Sequence, residues 1–339
     1  MKTLLQAQFP VGWGIIIVML ITSCRTTDLP EDRELYYMQH DPLQQVEKLE
    51  PVIDSVNRIL VSTHFDTYRF DEEDEITLKD IRADSTILED ADSTFDIETR
   101  GGTAIFLDVA DGYPLILTTN HIIDHSDTVA TYYEDDFGNE TGIAELRINE
   151  RVERYVPAFR EIGRLDILVS DAENDVAFLT GENPFDLSDD VEYMRVELGS
   201  PELLDWGTKV FTIGYPLGNE MLSTAMVSEP DRDGNGGFLI DALFNPGFSG
   251  GAILAVNNDD HSLELVGMAR SASADAEFFL RPARAGITEF DTGFQYEGPM
   301  YLDHARRINY GIVQNVSVSL IKEVMEQNRS VLEDAGFEF

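Results

Sequence analysis

The sequence predicts an all-β protein of two units that ends in a helix, and three observations carry that expectation. Short runs rich in Val, Ile, Leu, Phe and Thr recur between Gly, Asp and Asn punctuation from residue 101 onward. A stretch from Glu182 to Asp205, rich in Asp, Glu, Pro and Gly, divides those runs into two sets. The last apolar residues before the C-terminus change to helical spacing.

The first set of runs covers 103–109, 114–119, 128–133, 143–148, 165–170 and 176–180. The second covers 209–215, 224–228, 238–244, 252–256, 263–269 and 309–316. Many short strands at this spacing indicate a barrel or a sandwich. Ser317 then precedes Val318, Ile321, Val324 and Met325, with Gly336 just beyond, which is a helix with a start and a stop signal. Ahead of the strands, Val52, Ile53, Val56, Ile59 and Leu60 have helical spacing, and 59–63 turns β-like. Residues 71–98 carry many Asp and Glu and read as an exposed, mobile acidic loop.

Composition narrows the function. The 339 residues are 43% hydrophobic and 10% aromatic, which suits a chain with a real core. Asp and Glu total 64 against 24 Lys and Arg, a net charge of −40. Such a surface repels phosphate backbones, so nucleic acid is not an expected partner. Scarce lysine with high acidity suits a saline habitat, and serves equally as a plain solubilising surface. The one cysteine, Cys24, excludes an intrachain disulfide and a multi-cysteine metal site. No metal or cofactor is expected.

The N-terminus reads as an address. Lys2 is followed by an apolar run that is densest from Gly14 to Ile21 and ends in small residues before Cys24. A charged start, apolar middle and small-residue end make a secretory signal over 1–23. Ile21-Thr22-Ser23-Cys24 also resembles the lipobox of bacterial lipoproteins, which implies an acylated Cys24 and a membrane anchor. By the same resemblance, Arg25 after the cysteine favours the outer membrane over the inner one. Residues 24–50 are then an acidic tether.

Three segments carry chemistry. Ile116-Leu117-Thr118-Thr119-Asn120-His121 is a strand that delivers a histidine at its end. Asn174-Asp175-Val176-Ala177-Phe178-Leu179 opens an apolar strand with an aspartate. Asn245-Pro246-Gly247-Phe248-Ser249-Gly250-Gly251 sets a serine in a glycine-rich turn. A serine hydroxyl is a poor nucleophile until an imidazole takes its proton, and the imidazole needs a carboxylate to fix its tautomer. Asp166 and His125 are the rivals of Asp175 and His121. The sequence contexts favour Asp175 and His121.

These segments resemble the His, Asp and Gly-x-Ser-Gly-Gly motifs of the chymotrypsin-like serine proteases, most closely the HtrA-type enzymes of the bacterial envelope. Gly102-Thr103-Ala104, Ile213-Gly214-Tyr215-Pro216 and Asp241-Ala242 match as well. The resemblance implies two six-stranded antiparallel β-barrels, 51–185 bringing His121 and Asp175 and 186–339 bringing Ser249. It implies an oxyanion hole from the Gly247 and Ser249 N–H groups. It puts Leu243 near the base of the substrate pocket, with Arg270, Ser271 and Ala272 along one wall. Protein or peptide substrates follow, and the oligomeric state stays open.

The chain also departs from that pattern. Phe248 stands where digestive enzymes carry aspartate and where HtrA-type enzymes commonly carry asparagine. The chain ends soon after the terminal helix, so a PDZ domain is not expected. The alternative is a catalytically weak or inactive protease-like module that binds at the membrane.

Overall fold

The computed structural model describes residues 49–135, 139–185, 196–259, 261–282 and 300–338, without the side chains of 272–277, 281–282 and 300–310. These residues lie in one compact unit, Leu35–Phe339. Cys24, the 1–23 signal and the tether up to residue 48 lie outside the described residues.

A short helix over 49–54 (α1) gives way at Val56 to β1 (Val56–Arg69), so the helical spacing read over 52–60 holds only for its first half. The first sheet adds β2 (Asp92–Ala110), β3 (Tyr113–Thr118), β4 (Thr128–Glu134), β5 (Glu140–Tyr155), β6 (Leu165–Asp171) and β7 (Val176–Gly181). Its order is β4-β5-β1-β2-β3-β7-β6. The second sheet holds β8 (Glu197–Leu198), β9 (Lys209–Gly214), β10 (Met221–Glu229), β11 (Phe238–Ile240), β12 (Ala252–Val256), β13 (Leu263–Pro282) and β14 (Met300–Ser317). Pairing of β12 with β13 closes six of these strands into a barrel, with β8 added in parallel outside β13. The expected all-β class and the second six-stranded barrel are thus present. The first unit differs from the expected barrel: it has seven strands, and its end strands β4 and β6 are not joined by a ladder among the described residues.

The apolar runs have a physical reason. Side chains alternate across a strand, and both faces of the central strands are buried. In β3, Ile116 points into the core of its own unit, with Ile59, Val61, Phe106, Ala177 and Leu179. Its neighbours Leu115 and Leu117 point the other way, into a layer with Ile105, Val176 and Phe178. The second unit supplies the far side of that layer from Phe211, Ile213, Leu254 and Leu265, while Val210, Ile253, Ala255 and Val266 fill its own barrel. A strand buried on both faces reads as a continuous apolar run, which is what the sequence displays.

The terminal helix forms as expected and in two pieces, α5 (Val318–Gln327) and α6 (Arg329–Asp334). The Ser317 side chain accepts a hydrogen bond from the Leu320 N–H, so it is a working N-cap. Val318, Ile321, Val324 and Met325 are buried, and Gly336 at φ +95 turns the chain so that Phe337 is buried too.

Residues 71–98 are not the plain loop their acidity suggests. They form α2 (Leu78–Ala83), α3 (Ile87–Asp90) and the first residues of β2, which pair with β1. Thr77 and Asp80 make a reciprocal capping box at the start of α2. Ile76, Leu78, Ile81, Ile87 and Leu88 pack on Phe70, Ile143 and Leu146. The acids between them (Asp71, Glu72, Glu73, Asp74, Asp80, Asp84, Glu89) stay exposed. A minority of apolar residues at helical spacing overrides the acidic average.

Ser317 also donates to the Asn235 carbonyl at 3.1 Å, so it ties α5 to the barrel. Ser317→Ala should cost about 0.5–2 kcal/mol, the range for a lost N-cap, read as a lower urea midpoint with an unchanged slope.

Candidate active site

β3 and β7 are neighbours, and the pair Thr118↔Ala177 brings the end of one beside the start of the other. After β3 the chain makes a single helical turn, α4 (Asn120–Ile123). Ile122 and Ile123 are packed in the first unit's core, and buried Asn120 accepts a hydrogen bond from Ser170 Oγ at 2.6 Å. His121 is the residue left facing out, its side chain 48% exposed. Asp175 precedes β7 at φ +59, a left-handed conformation that aspartate tolerates better than most residues.

The Asp175 carboxylate is nearly buried and is well supplied with donors. Its Oδ1 accepts from the His121 backbone N–H at 2.8 Å, and its Oδ2 accepts from His121 Nδ1 at 2.9 Å. A carboxylate can only accept, so Nδ1 carries a proton, which leaves Nε2 as the nitrogen available to a partner. The two rivals fall away. Asp166 is exposed on β6 opposite Thr180. His125 bonds Thr63 Oγ1 at 2.8 Å, and burial, then the Arg100 and Arg154 charges, push its imidazole below the ordinary value.

The serine turn is held by close approach. Gly250 has φ +87, and a methyl group there would lie 1.9 Å from the Thr103 carbonyl oxygen. Gly247 has φ +97, and a methyl there would lie 2.6 Å from the Tyr215 carbonyl oxygen. Thr103 fastens the turn from the first unit. Its N–H donates to the Ser249 carbonyl at 2.8 Å and its hydroxyl to the Gly247 carbonyl at 2.8 Å, while Oγ1 accepts from Tyr215 N–H at 2.9 Å. Among the described residues the Gly247 and Ser249 N–H groups have no acceptor. Phe248 is buried in the second barrel, edge-on to Phe244 at 5.8 Å. It anchors the turn by packing, without the ion pair an aspartate would make.

The three motif residues are brought together through Arg270. Ser249 Oγ donates to the Arg270 carbonyl at 3.1 Å, not to the imidazole, and Arg270 Nε donates to Asp175 Oδ2 at 3.2 Å. Leu243, expected near the base of a pocket, is instead 72% exposed, because the segment after β11 carries Ala242 and Phe244 inward and turns it out. Ser271 lies on β13 next to Arg270 and is partly buried; the side chain of Ala272 is not among those described. Sequence reasoning missed the Asn120–Ser170 support and the Arg270–Asp175 pair. Thr103 was visible only as part of a matching tripeptide.

Residues 102–268 match the family described as Trypsin-like peptidase domain. No curated protein matches the chain. Among solved structures it is similar to the serine endoprotease from Yersinia pestis, at 17% identity over 85% of this chain and 68% of that one, with a TM-score of 0.41. The matched segment holds His121, Asp175 and Ser249. That segment, just under half of the chain, is similar to a trypsin-like peptidase domain, and the match supports a serine protease.

The 1.9 Å approach leaves no room for a side chain at position 250. Gly250→Ala should therefore abolish labelling of the serine by a fluorophosphonate and lower the melting temperature, since the Thr103 strand must move.

Proposed function

We propose that the chain is a serine endopeptidase of the bacterial cell envelope, lipid-anchored through Cys24, with His121, Asp175 and Ser249 as its catalytic triad. The observation that carries this reading is the His121–Asp175 pair, with Nδ1 committed to the carboxylate, beside a serine turn rigidly held by Thr103. To react, Ser249 Oγ leaves the Arg270 carbonyl by rotation about χ1 and donates to Nε2. His121 takes the proton as Oγ attacks the peptide carbonyl, and the Gly247 and Ser249 N–H groups receive the developing oxyanion. His121 then returns the proton to the leaving amine, and water resolves the acyl-enzyme by the same route. Asp175 holds the tautomer and stabilises the imidazolium.

The buried Phe248 supports a turn that needs no new N-terminus to form, so signal removal is the only processing this reading requires. The engagement of Ser249 with the Arg270 carbonyl favours the second reading, a protease-like binding module with weak or no turnover.

The two readings separate by assay. Mature wild-type protein should hydrolyse casein and take a fluorophosphonate label, and Ser249→Ala should do neither while keeping its melting temperature. Asp175→Asn should lower kcat by about 10⁴, the loss seen in the Ser-His-Asp template. Wild type no faster than Ser249→Ala would leave the binding module standing.

The anchor is tested by fractionation. Wild-type protein should partition into detergent with the membranes, and Cys24→Ala should move to the aqueous phase. An unchanged partition would refute acylation at Cys24.

A further inference from the structure

We infer that Arg270 is a positioning residue that braces Asp175 from the second β unit and links the two halves of the catalytic group. This rests on the triad reading above.

The Asp175 side chain is only 8% exposed, and a carboxylate taken out of water needs its lone pairs matched by donors. Among the described residues of the first unit, His121 alone reaches it, through the backbone N–H and Nδ1. The remaining donor, Arg270 Nε, comes from β13 in the second unit. Without it, Oδ2 would be held by the imidazole alone, the group that Asp175 has to orient.

Arg270 is itself fixed, through its own carbonyl and through the residue before it. The Ala269 N–H donates to the Gly251 carbonyl at 2.8 Å, and the Gly250 N–H donates to the Ala269 carbonyl at 2.8 Å, so the residue before it is stitched to the serine turn. The Arg270 carbonyl receives the Ser249 hydroxyl. The register of β13 against β14 shifts between Ala269 and Ser271, with Asn315 opposite the first and Gln314 opposite the second. Arg270 is thus the extra residue of a bulge, and a bulge re-aims its side chain away from the strand's alternation. Here it aims the guanidinium at Asp175. One residue therefore touches the nucleophile with its carbonyl and the triad carboxylate with its side chain. One arginine thus spans from Ser249 to the His121–Asp175 pair.

This role differs from that of a substrate contact on the pocket wall. A bracing residue acts on the chemical step, whereas a wall residue acts on binding. Full-length mature protein carrying Arg270→Met, which keeps the stem and removes the donor, is compared with wild type and with Arg270→Lys. Active sites are counted by complete fluorophosphonate labelling, so misfolded material drops out of kcat. Arg270→Met should lower kcat by about tenfold or more and leave KM within about twofold, as for a lost hydrogen bond to a charged group that matters in the transition state. Arg270→Lys, which can still place an N–H on Oδ2, should recover a large part of that loss.

A rise in KM at constant kcat would make Arg270 a substrate contact and overturn the inference, as would an unchanged kcat. If Arg270→Met does not fold, Arg270→Lys decides alone: a partial loss in kcat at constant KM supports bracing, and any other pattern refutes it. Failure of the protease reading itself looks different. There, wild type would be no faster than Ser249→Ala before any Arg270 variant is compared.

Discussion

The apolar layer shared by the two β units is the constraint on which the site depends. Leu115, Leu117, Val176 and Phe178 enter it from one side, and Phe211, Ile213, Leu254 and Leu265 from the other. Each fully buried side chain of this size contributes about 1.5–3 kcal/mol relative to exposure, so the layer fixes the two units against each other far more firmly than any polar contact in the cleft. The helices at both ends of the described chain seal it, through Leu49 and Val52 in α1 and Ile321, Val324 and Phe337 near the C-terminus. His121 and Asp175 are carried on the ends of β3 and β7, two strands whose alternate residues form the layer. Their position relative to Ser249 is inherited from that packing.

Polar contacts then refine what packing sets. Thr103 reaches from β2 to three backbone groups on the serine side of the cleft, two of them in the serine turn. Arg270 reaches back from β13 to Asp175. The two contacts run in opposite directions across the same boundary, one holding the turn and the other the carboxylate. A charged pair of this kind is weak where water competes and strong where it does not. With the carboxylate buried and the guanidinium partly exposed, its worth lies in orientation more than in stability.

Much of this was legible in the sequence, for identifiable reasons. Strands buried on both faces leave continuous apolar runs, so β3, β7, β9 and β12 appear at nearly their observed limits. The serine turn needs glycine where backbone atoms crowd, and Gly247 and Gly250 stand at those positions. What was missed depends on contacts distant in the chain. Asp175 and Arg270 are 95 residues apart, and no local pattern announces a bulge that joins them. The α2–α3 segment was hidden by its acids, which stay in water and dominate the average while Ile76, Leu78, Ile81, Ile87 and Leu88 pack. The unclosed first sheet depends on which edges meet, which strand propensities do not encode. Leu243 was read from its place in a motif, and the chain turns it outward. Cys24 lies beyond the described residues.

Gly214 carries a consequence for how this sequence can change. A methyl group there would stand 2.9 Å from the Phe248 ring and 3.1 Å from Thr103 Oγ1. Three positions distant in the chain, Thr103, Gly214 and Phe248, therefore share a single small volume. In descendants of this chain they should drift together. A bulkier residue at 214 becomes tolerable only alongside a slimmer one at 248, and the aromatic at 248 persists only where 214 remains glycine. On this geometry Phe248 and Gly214 should be inherited as a pair, and comparing related genes should show correlated substitution between two sites 34 residues apart.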